Sequence, residues 1–211
     1  MASFYGVKVG RKPGVYTTWG QCEKQVRGFK GAIYKKFNSE SEAMDFVSST
    51  TNPNLQMGIK GSKPLKQRED LKEGEIIAYV DGSYDNSKKK YSYGIVLLSR
   101  DSEITLHGWD NHPDLVGSRN VAGELLGTVI AIYKAIELGY KKIYVHYDYE
   151  GIEKWITGEW KASSVAATTY RDRINITKGH VQIEFIKVAA HTGVIYNEKA
   201  DELAKLALKS S

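Results

Sequence analysis

From Ile76 onward the apolar positions change period several times, and the changes divide the second part of the chain into strands and helices. Short runs at Ile76–Asp81 ("IIAYVD"), Tyr91–Leu98 ("YSYGIVLL") and Glu103–Trp109 ("EITLHGW") read as three strands. In "RNVAGELLGTVIAIYKAIELG" the spacing shifts to that of a helix, with Ala122, Leu125, Val129, Tyr133 and Ile136 on one face and Asn120 as its cap. "KKIYVHYD" alternates as a strand, "YEGIEKWITGEW" and "VAATTYRDRINIT" read as helices, "VQIEFIKVAA" as a strand, and "NEKADELAKLALK" as a closing helix capped by Asn197. The order is βββαβααβα. Three antiparallel strands extended by crossover strands give an α/β fold with a mixed sheet and helices on its faces.

The first fifty residues carry a separate, compact pattern. "FYGVKVGRKPGVYTTW" alternates as strands around a Pro-Gly turn, "GQCEKQVRGF" reads as a short helix, and "AIYKKF" as a strand. "SESEAMDFVSS" is a helix opened by Ser39 or Ser41, with acids in its first turn. Between the two patterns, Ser49 to Gly74 has Pro53, Pro64, glycines and mixed charge without sustained periodicity. The chain is therefore expected to hold a small α+β domain at 1–50, a flexible linker at 51–74 and a larger domain at 75–211. As a flexible coil, roughly 25 linker residues span about 25–30 Å, which keeps the first domain near the second at millimolar effective concentration.

Composition narrows the classes. A chain of 211 residues with 41% hydrophobic content can fill a core. No run approaches the about 18 apolar residues of a membrane span, and "MASFYGVKVG" lacks the apolar segment of a signal peptide. With its single cysteine, Cys22, the sequence suits a reducing compartment, and a cytoplasmic protein without a membrane partner is expected. The net charge of +5 is unevenly spread: residues 1–50 hold eight basic against four acidic residues, whereas residues 76–211 hold 17 of each. The charge that attracts a polyanion is thus concentrated at the front.

In the larger domain an acid stands at each junction. Asp81 ends or nearly ends the first strand, Glu124 lies near the start of the long helix, Asp148 ends the fourth strand, and Asp201 falls near the start of the last helix. Singly, each has a local explanation as a turn residue, a strand-end polar group or a helix-dipole partner. Asp81-Gly82 in particular fits a tight hairpin turn. Jointly, adjacent strand ends and facing helix starts would gather the four carboxylates at one spot. Carboxylates so close stay ionised only if cations hold them. Oxygen-only ligands select hard ions, Mg²⁺ or Mn²⁺, and two such ions roughly 3.5–4 Å apart suit phosphodiester hydrolysis.

"YVDGSY", "RNVAGEL", "VHYDYEG" and "AAHTGVIYNEKADELAK", in this order, resemble the four carboxylate motifs of type 1 ribonuclease H over about Ile76 to Lys209. The resemblance implies a ribonuclease H-like fold and an endonuclease that cuts the RNA strand of RNA/DNA hybrids, leaving 3′-hydroxyl and 5′-phosphate ends. It implies that Asp81, Glu124, Asp148 and Asp201 bind two Mg²⁺ ions, with Mn²⁺ able to substitute. His191 matches the family's loop histidine that assists proton movement or product release, and Asn120 and Asn197 match positions near the substrate and the fourth carboxylate. "FYGVKVGRKPGVYTTWGQCEKQVRGFKGAIYKKF" resembles the hybrid-binding domain shared with caulimovirus viroplasmin. By that resemblance Tyr5, Trp19, Tyr34, Lys35 and Lys36 face the DNA strand, and the turn around Arg27–Gly31 meets RNA 2′-hydroxyls. A monomer acting on RNA/DNA hybrid is expected.

The sequence departs from the family pattern in Tyr147 and Tyr149, which flank Asp148, and in Val121, Ala122 and Gly123 before Glu124. The basic protrusion of some relatives is missing after "WITGEWK". Two other readings stand beside the nuclease: a catalytically inactive protein that binds hybrid or duplex RNA, and a nuclease of the same fold with another phosphodiester substrate.

Overall fold

The computed structural model describes residues 3–29, 31–48, 66–188 and 194–210. Two compact units divide the chain, 1–57 and 58–211.

In the first unit, β1 (Phe4–Val9) lies between β2 (Gly14–Tyr16) and β3 (Ile33–Phe37) in an antiparallel sheet. Helix α1 (Trp19–Val26) opens on Thr18, whose hydroxyl accepts from the Gln21 N–H at 3.4 Å, and it buries Cys22 and Val26 against Val7. Helix α2 (Glu40–Ser48) packs on the other face, where Phe46 meets Phe37 at 5.1 Å between ring centroids. Of the two candidate caps for α2, Ser39 is the one used, accepting from the Glu42 N–H at 3.2 Å.

The second unit is built on a five-stranded sheet ordered β6-β5-β4-β7-β8. Strands β4 (Glu75–Asp85), β5 (Lys90–Leu98) and β6 (Glu103–Asp110) form an antiparallel meander. Strands β7 (Lys142–Tyr147) and β8 (Gln182–Lys187) extend it in parallel from β4. A short helix, α3 (Pro113–Val116), precedes α4 (Asn120–Glu137); α5 (Gly151–Thr157) and α6 (Val165–Ile176) follow β7, and α7 (Ile195–Lys209) closes the unit. The order expected from sequence is present, with α3 as an addition too short for periodicity to reveal. None of the described helices is long and apolar enough to cross a membrane.

The main core lies between the sheet and the face covered by α4 and α6. Ile76, Ala78 and Val80 of β4, Ile95 and Leu97 of β5, and Ile143 and Val145 of β7 meet Leu125, Val129, Ile132 and Ala135 of α4 and Tyr170 and Ile174 of α6. Helix α7 lies on the opposite face. Its approach needs Gly94, where a Cβ would fall 1.9 Å from the Ala200 carbonyl oxygen. Gly123 does the same for α4: a Cβ there would fall 1.9 Å from the Ser92 carbonyl oxygen. These two contacts set how deeply each helix sinks into the sheet.

Several local expectations are corrected. Asp81-Gly82 forms no turn: β4 runs straight through both to Asp85, because Asp81 pairs with Gly94 and Gly82 with Tyr93. The turn comes later, at residues 86–89, where Asp85 Oδ1 accepts from the Ser87 N–H (2.8 Å), the Ser87 hydroxyl (2.6 Å) and the Lys88 N–H (3.1 Å). Tyr133 is 40% exposed, since the α4 stripe runs from Val129 to Ile132 rather than to Tyr133. Neither asparagine is a cap: α4 begins with Asn120 after Arg119, and α7 begins at Ile195, which puts Asn197 inside its first turn. Within the stretch expected as linker, residues 66–74 pack on the second unit. Leu71 is buried, Lys66 Nζ lies 4.9 Å from the Tyr144 ring centroid and 3.8 Å from Glu75, and Arg68 donates to the Arg100 carbonyl at 3.1 Å. Residues 51–65 are outside the described residues.

The close approaches yield a measurable expectation. Gly123→Ala and Gly94→Ala must each push a helix off the sheet, so each should cost about 2–3 kcal/mol and lower Tm by roughly 4–12 °C. Melting curves that overlay the parent would contradict the tight helix–sheet contact.

Candidate active site

Parallel pairing of β4 with β7 is what brings two carboxylates level. Tyr79 pairs with His146, so two residues further along, Asp81 and Asp148 stand side by side at the same end of the sheet. Each carboxylate comes directly after a buried strand run, Ile76–Val80 of β4 before Asp81 and Ile143–Tyr147 of β7 before Asp148, which fixes its position. Helix α4 then lays Glu124, 3% exposed, against the same spot. One oxygen from each of Asp81, Glu124 and Asp148 lies within 4.8 Å of the others.

Gly82 belongs to this arrangement in a way its sequence context does not suggest. A Cβ at Gly82 would meet the Asn120 carbonyl at 2.2 Å and the Glu124 nitrogen at 2.6 Å. The glycine therefore admits the first turn of α4, and with it Glu124, rather than a substrate backbone.

Asp81 and Glu124 are poorly compensated. The Gly82 N–H donates to Asp81 Oδ1 at 2.7 Å, and Asn120 Nδ2 donates to Glu124 Oε1 at 3.5 Å. Glu124 Oε2 is buried without a hydrogen-bond partner among the described residues. Burial first, and then the Asp148 charge, push Asp81 up to about 7. Burial, followed by the Asp148 and Asp81 charges, pushes Glu124 up to about 9. An orphaned carboxylate oxygen in an all-oxygen donor set, with charge in excess, is what a hard divalent cation would satisfy. The three residues fit such an ion.

Asp201 stands near this group but outside its 4.8 Å circle. It raises the proton affinity of Asp81 through space, and its own Oδ2 accepts from Lys205 Nζ at 2.5 Å, one turn along α7. Asn197 is buried, with Oδ1 lacking a partner among the described residues. His191 lies outside the described residues.

The two tyrosines beside Asp148 separate. Tyr147 turns into the core against Phe185, its hydroxyl donating to Glu153 Oε2 at 2.5 Å. Tyr149 joins Trp155 and Trp160, with ring centroids 5.7 and 6.5 Å away and the two tryptophans 6.2 Å from each other. This aromatic group next to the carboxylates was not singled out from sequence. The available signal was three aromatics in a short stretch, with Trp155 inside α5 and Tyr149 and Trp160 on either side of it.

In the first unit, Trp19 stands between Tyr5 (5.8 Å) and Tyr34 (5.7 Å), and both Trp19 and Tyr34 are more than 40% exposed. Register places Lys36 opposite Tyr5 and Tyr34 opposite Val7, so Tyr5, Tyr34 and Lys36 share a face. Lys35 pairs with Gly6 and is on the other face, its Nζ 5.5 Å from the Phe37 ring centroid. Period-two alternation makes this separation unavoidable for adjacent residues.

Two family models match the chain: "Ribonuclease H1 N-terminal domain" over residues 3–47 and "RNase H" over residues 73–209. Ribonuclease H1 of Mus musculus is 27% identical over 100% of this chain and 91% of its own length. Ribonuclease H1 of Homo sapiens is 29% identical over 99% and 90%. Among solved structures, RNase H1 from the halophilic archaeon Halobacterium salinarum NRC-1 superposes with a TM-score of 0.53 at 26% identity, covering 65% of this chain and 99% of that one. LC11-RNase H1 in complex with RNA/DNA hybrid, at 16% identity, shares the fold with a TM-score of 0.51 over 63% of this chain and 99% of that one. Since the nuclease model covers residues 73–209, well over half of the chain, and takes in all the converging carboxylates, the chain belongs to the RNase H family: it is a ribonuclease H with a Ribonuclease H1-type domain ahead of its nuclease domain.

Proposed function

We propose that the protein hydrolyses the RNA strand of RNA/DNA hybrids, leaving 3′-hydroxyl and 5′-phosphate ends, at a site formed by Asp81, Glu124, Asp148 and Asp201 with two Mg²⁺ ions. The observation that carries this reading is the convergence of three carboxylates around an unpartnered, buried Glu124 oxygen. Bound Mg²⁺, or Mn²⁺ in its place, would supply a Lewis acid for the scissile phosphate and an activated water. The chain's own groups hold the geometry: the Gly82 N–H fixes Asp81, Asn120 orients Glu124, and Lys205 steadies Asp201. His191 is proposed to assist proton movement or product release. Intact carboxylates favour this reading over a protein that only binds.

Residues 1–50 are proposed to supply most of the hybrid affinity. The stack of Tyr5, Trp19 and Tyr34 offers faces to deoxyribose, Lys36 beside it offers charge to phosphate, and Lys35 can serve only from the opposite face. A hybrid is distinguished from duplex DNA by its 2′-hydroxyls and groove shape, which a rigid surface of this kind can read.

Cleavage of end-labelled RNA/DNA hybrid, duplex RNA, duplex DNA and single-stranded RNA tests the proposal. Metal-dependent cutting of hybrid RNA alone, lost in EDTA and in Asp81→Asn, is expected. Tight hybrid binding without cutting would establish the binding-only alternative. Deleting residues 1–50 should raise KM far more than it lowers kcat and flatten the salt dependence of binding; an unchanged KM would count against the division of labour.

The electrostatics of the site give a prediction about stability. Asp81 has a folded pKa near 7, above the ordinary 3.8, so the folded state binds its proton more tightly than the unfolded state does. Metal-free stability is therefore full below the ordinary carboxylate pKa and falls as pH rises through about 7, with Glu124 extending the fall toward about 9. At pH 8 in EDTA, Asp81→Asn should raise stability by on the order of 1–2 kcal/mol, or roughly 2–8 °C in Tm. It should also blunt the stabilisation the parent gains from MgCl₂. A parent and variant with parallel Tm profiles from pH 5 to 9 would rule out the repulsion.

A further inference from the structure

The C-terminal end of α1 is held by a residue from a different turn. Arg11 stands in the segment between β1 and β2, and its Nη1 donates to the Lys24 carbonyl at 3.1 Å and to the Arg27 carbonyl at 2.8 Å. Its own N–H donates to the Gln25 carbonyl at 3.0 Å. The Glu23 carbonyl accepts from the Arg27 N–H, and the Val26 carbonyl from the Phe29 N–H. Of the five carbonyls from Glu23 to Arg27, Arg11 therefore serves three, which the end of a helix leaves without a partner of its own. A positive charge is also favoured at this end of the helix dipole.

Arg11 is itself supported from the core. Tyr16 packs on the cluster of Val7, Cys22 and Val26, and its hydroxyl donates to the Lys12 carbonyl at 2.7 Å, which pins the residue next to Arg11. At Gly10 the same segment runs close to α1, since a Cβ there would fall 2.9 Å from the Gln25 carbonyl oxygen. Beyond the helix, this support reaches Gly28. That residue takes φ 70°, and Arg11 Nη2 lies 4.0 Å from where its Cβ would be. Gly28 is exposed, and its N–H has no hydrogen-bond partner among the described residues, so the group is open to an incoming ligand. A 2′-hydroxyl, both donor and acceptor, is read by polar groups held in fixed positions. Surface hydrogen bonds add little to the stability of a whole domain, so the effect of Arg11 is local.

We propose that Arg11 is a positioning residue for recognition of the RNA strand: by holding the end of α1, it fixes Gly28 and Phe29 at the start of the turn that meets RNA 2′-hydroxyls. Both Nη1 hydrogens are committed to carbonyls, so Arg11 acts through the turn and not by gripping phosphate. Discrimination of hybrid from duplex DNA then depends on Arg11, whereas general attraction to a polyanion does not. The inference rests on the hybrid-binding role proposed above for residues 1–50.

The test is binding by the full chain carrying Asp81→Asn to fluorescent RNA/DNA hybrid and to duplex DNA of the same sequence, measured by anisotropy across a salt series. Arg11→Gln should weaken hybrid binding roughly three- to tenfold, leave duplex DNA binding within about twofold and keep the log–log salt slope. Gly28→Ala, which strains the turn without removing charge, should lower the hybrid-to-DNA ratio in the same way. Cys22, the single cysteine, is buried between α1 and β1, and its reaction with a thiol reagent should stay as slow in Arg11→Gln as in the parent. Fast labelling there would make Arg11 a prop of the whole domain and overturn the proposal. So would an equal loss on hybrid and duplex DNA with the slope reduced by about 0.9, the mark of a direct phosphate contact. An unchanged ratio in either variant, with the parent still preferring hybrid, would overturn the role of Arg11 alone. A parent that holds hybrid and duplex DNA equally would overturn the hybrid-binding reading of residues 1–50 along with it.

Discussion

Asp81, Glu124 and Asp148 repel one another, and the second domain is arranged to hold them together regardless. Within 4.8 Å of one another, the carboxylates crowd charge at a site largely out of water, and the Asp148 charge raises the proton affinity of both Asp81 and Glu124. Such a group persists only if its supports are stiffer than its repulsion. Two of the supports are neighbouring parallel strands, whose ladder fixes Asp81 against Asp148. The third is an 18-residue helix anchored along its length by Leu125, Val129 and Ile132. On the proposed function, a bound cation would replace repulsion with attraction, so the same geometry that weakens the metal-free protein would give it affinity for the ion.

Backbone proximity is the means. Gly82 and Gly123 face each other where α4 crosses β4, and a Cβ on Gly123 would also lie 3.2 Å from the Gly82 Cα. Without that contact, Glu124 would be lifted away from the strand carboxylates. At the entrance to the same helix, Arg119 adopts φ 53° and ψ −129°, a conformation suited to glycine. Holding it costs on the order of 1–3 kcal/mol, and it lets the chain leave α3 and turn into α4 with Asn120 already beside Glu124.

Element types and their order were legible because the buried faces are strongly periodic: β4, β5 and β7 are almost continuously apolar, and α4 keeps its stripe over five turns. The carboxylates were legible because each stands where an apolar run stops or a helix starts. Local grammar misled at Asp81-Gly82. Its dipeptide favours a turn, but nine cross-strand pairs between β4 and β5 outweigh that preference and carry the strand to Asp85. Asn120 and Asn197 look like caps for the same reason, and tertiary packing starts each helix earlier. The hydrogen bonds from Arg11 to the Lys24 and Arg27 carbonyls were invisible because they join residues 13 and 16 apart, and only the packing of α1 on β1 brings them together.

The two domains address different parts of one electrostatic problem. A site that must concentrate negative charge to bind cations cannot also attract a polyanion, so attraction has to come from elsewhere in the chain. On the proposed function it comes from the front domain, with its net charge of +4 over residues 1–50. Charge alone would hold any duplex and would fade with salt. The tilted cluster of Tyr5, Trp19 and Tyr34 would add a contact that depends on shape and apolar surface, and such a contact survives screening. On this proposal, selectivity for hybrid would reside mainly in the aromatic face and the groove it fits, whereas the lysines would set how fast and how tightly the nucleic acid is gathered.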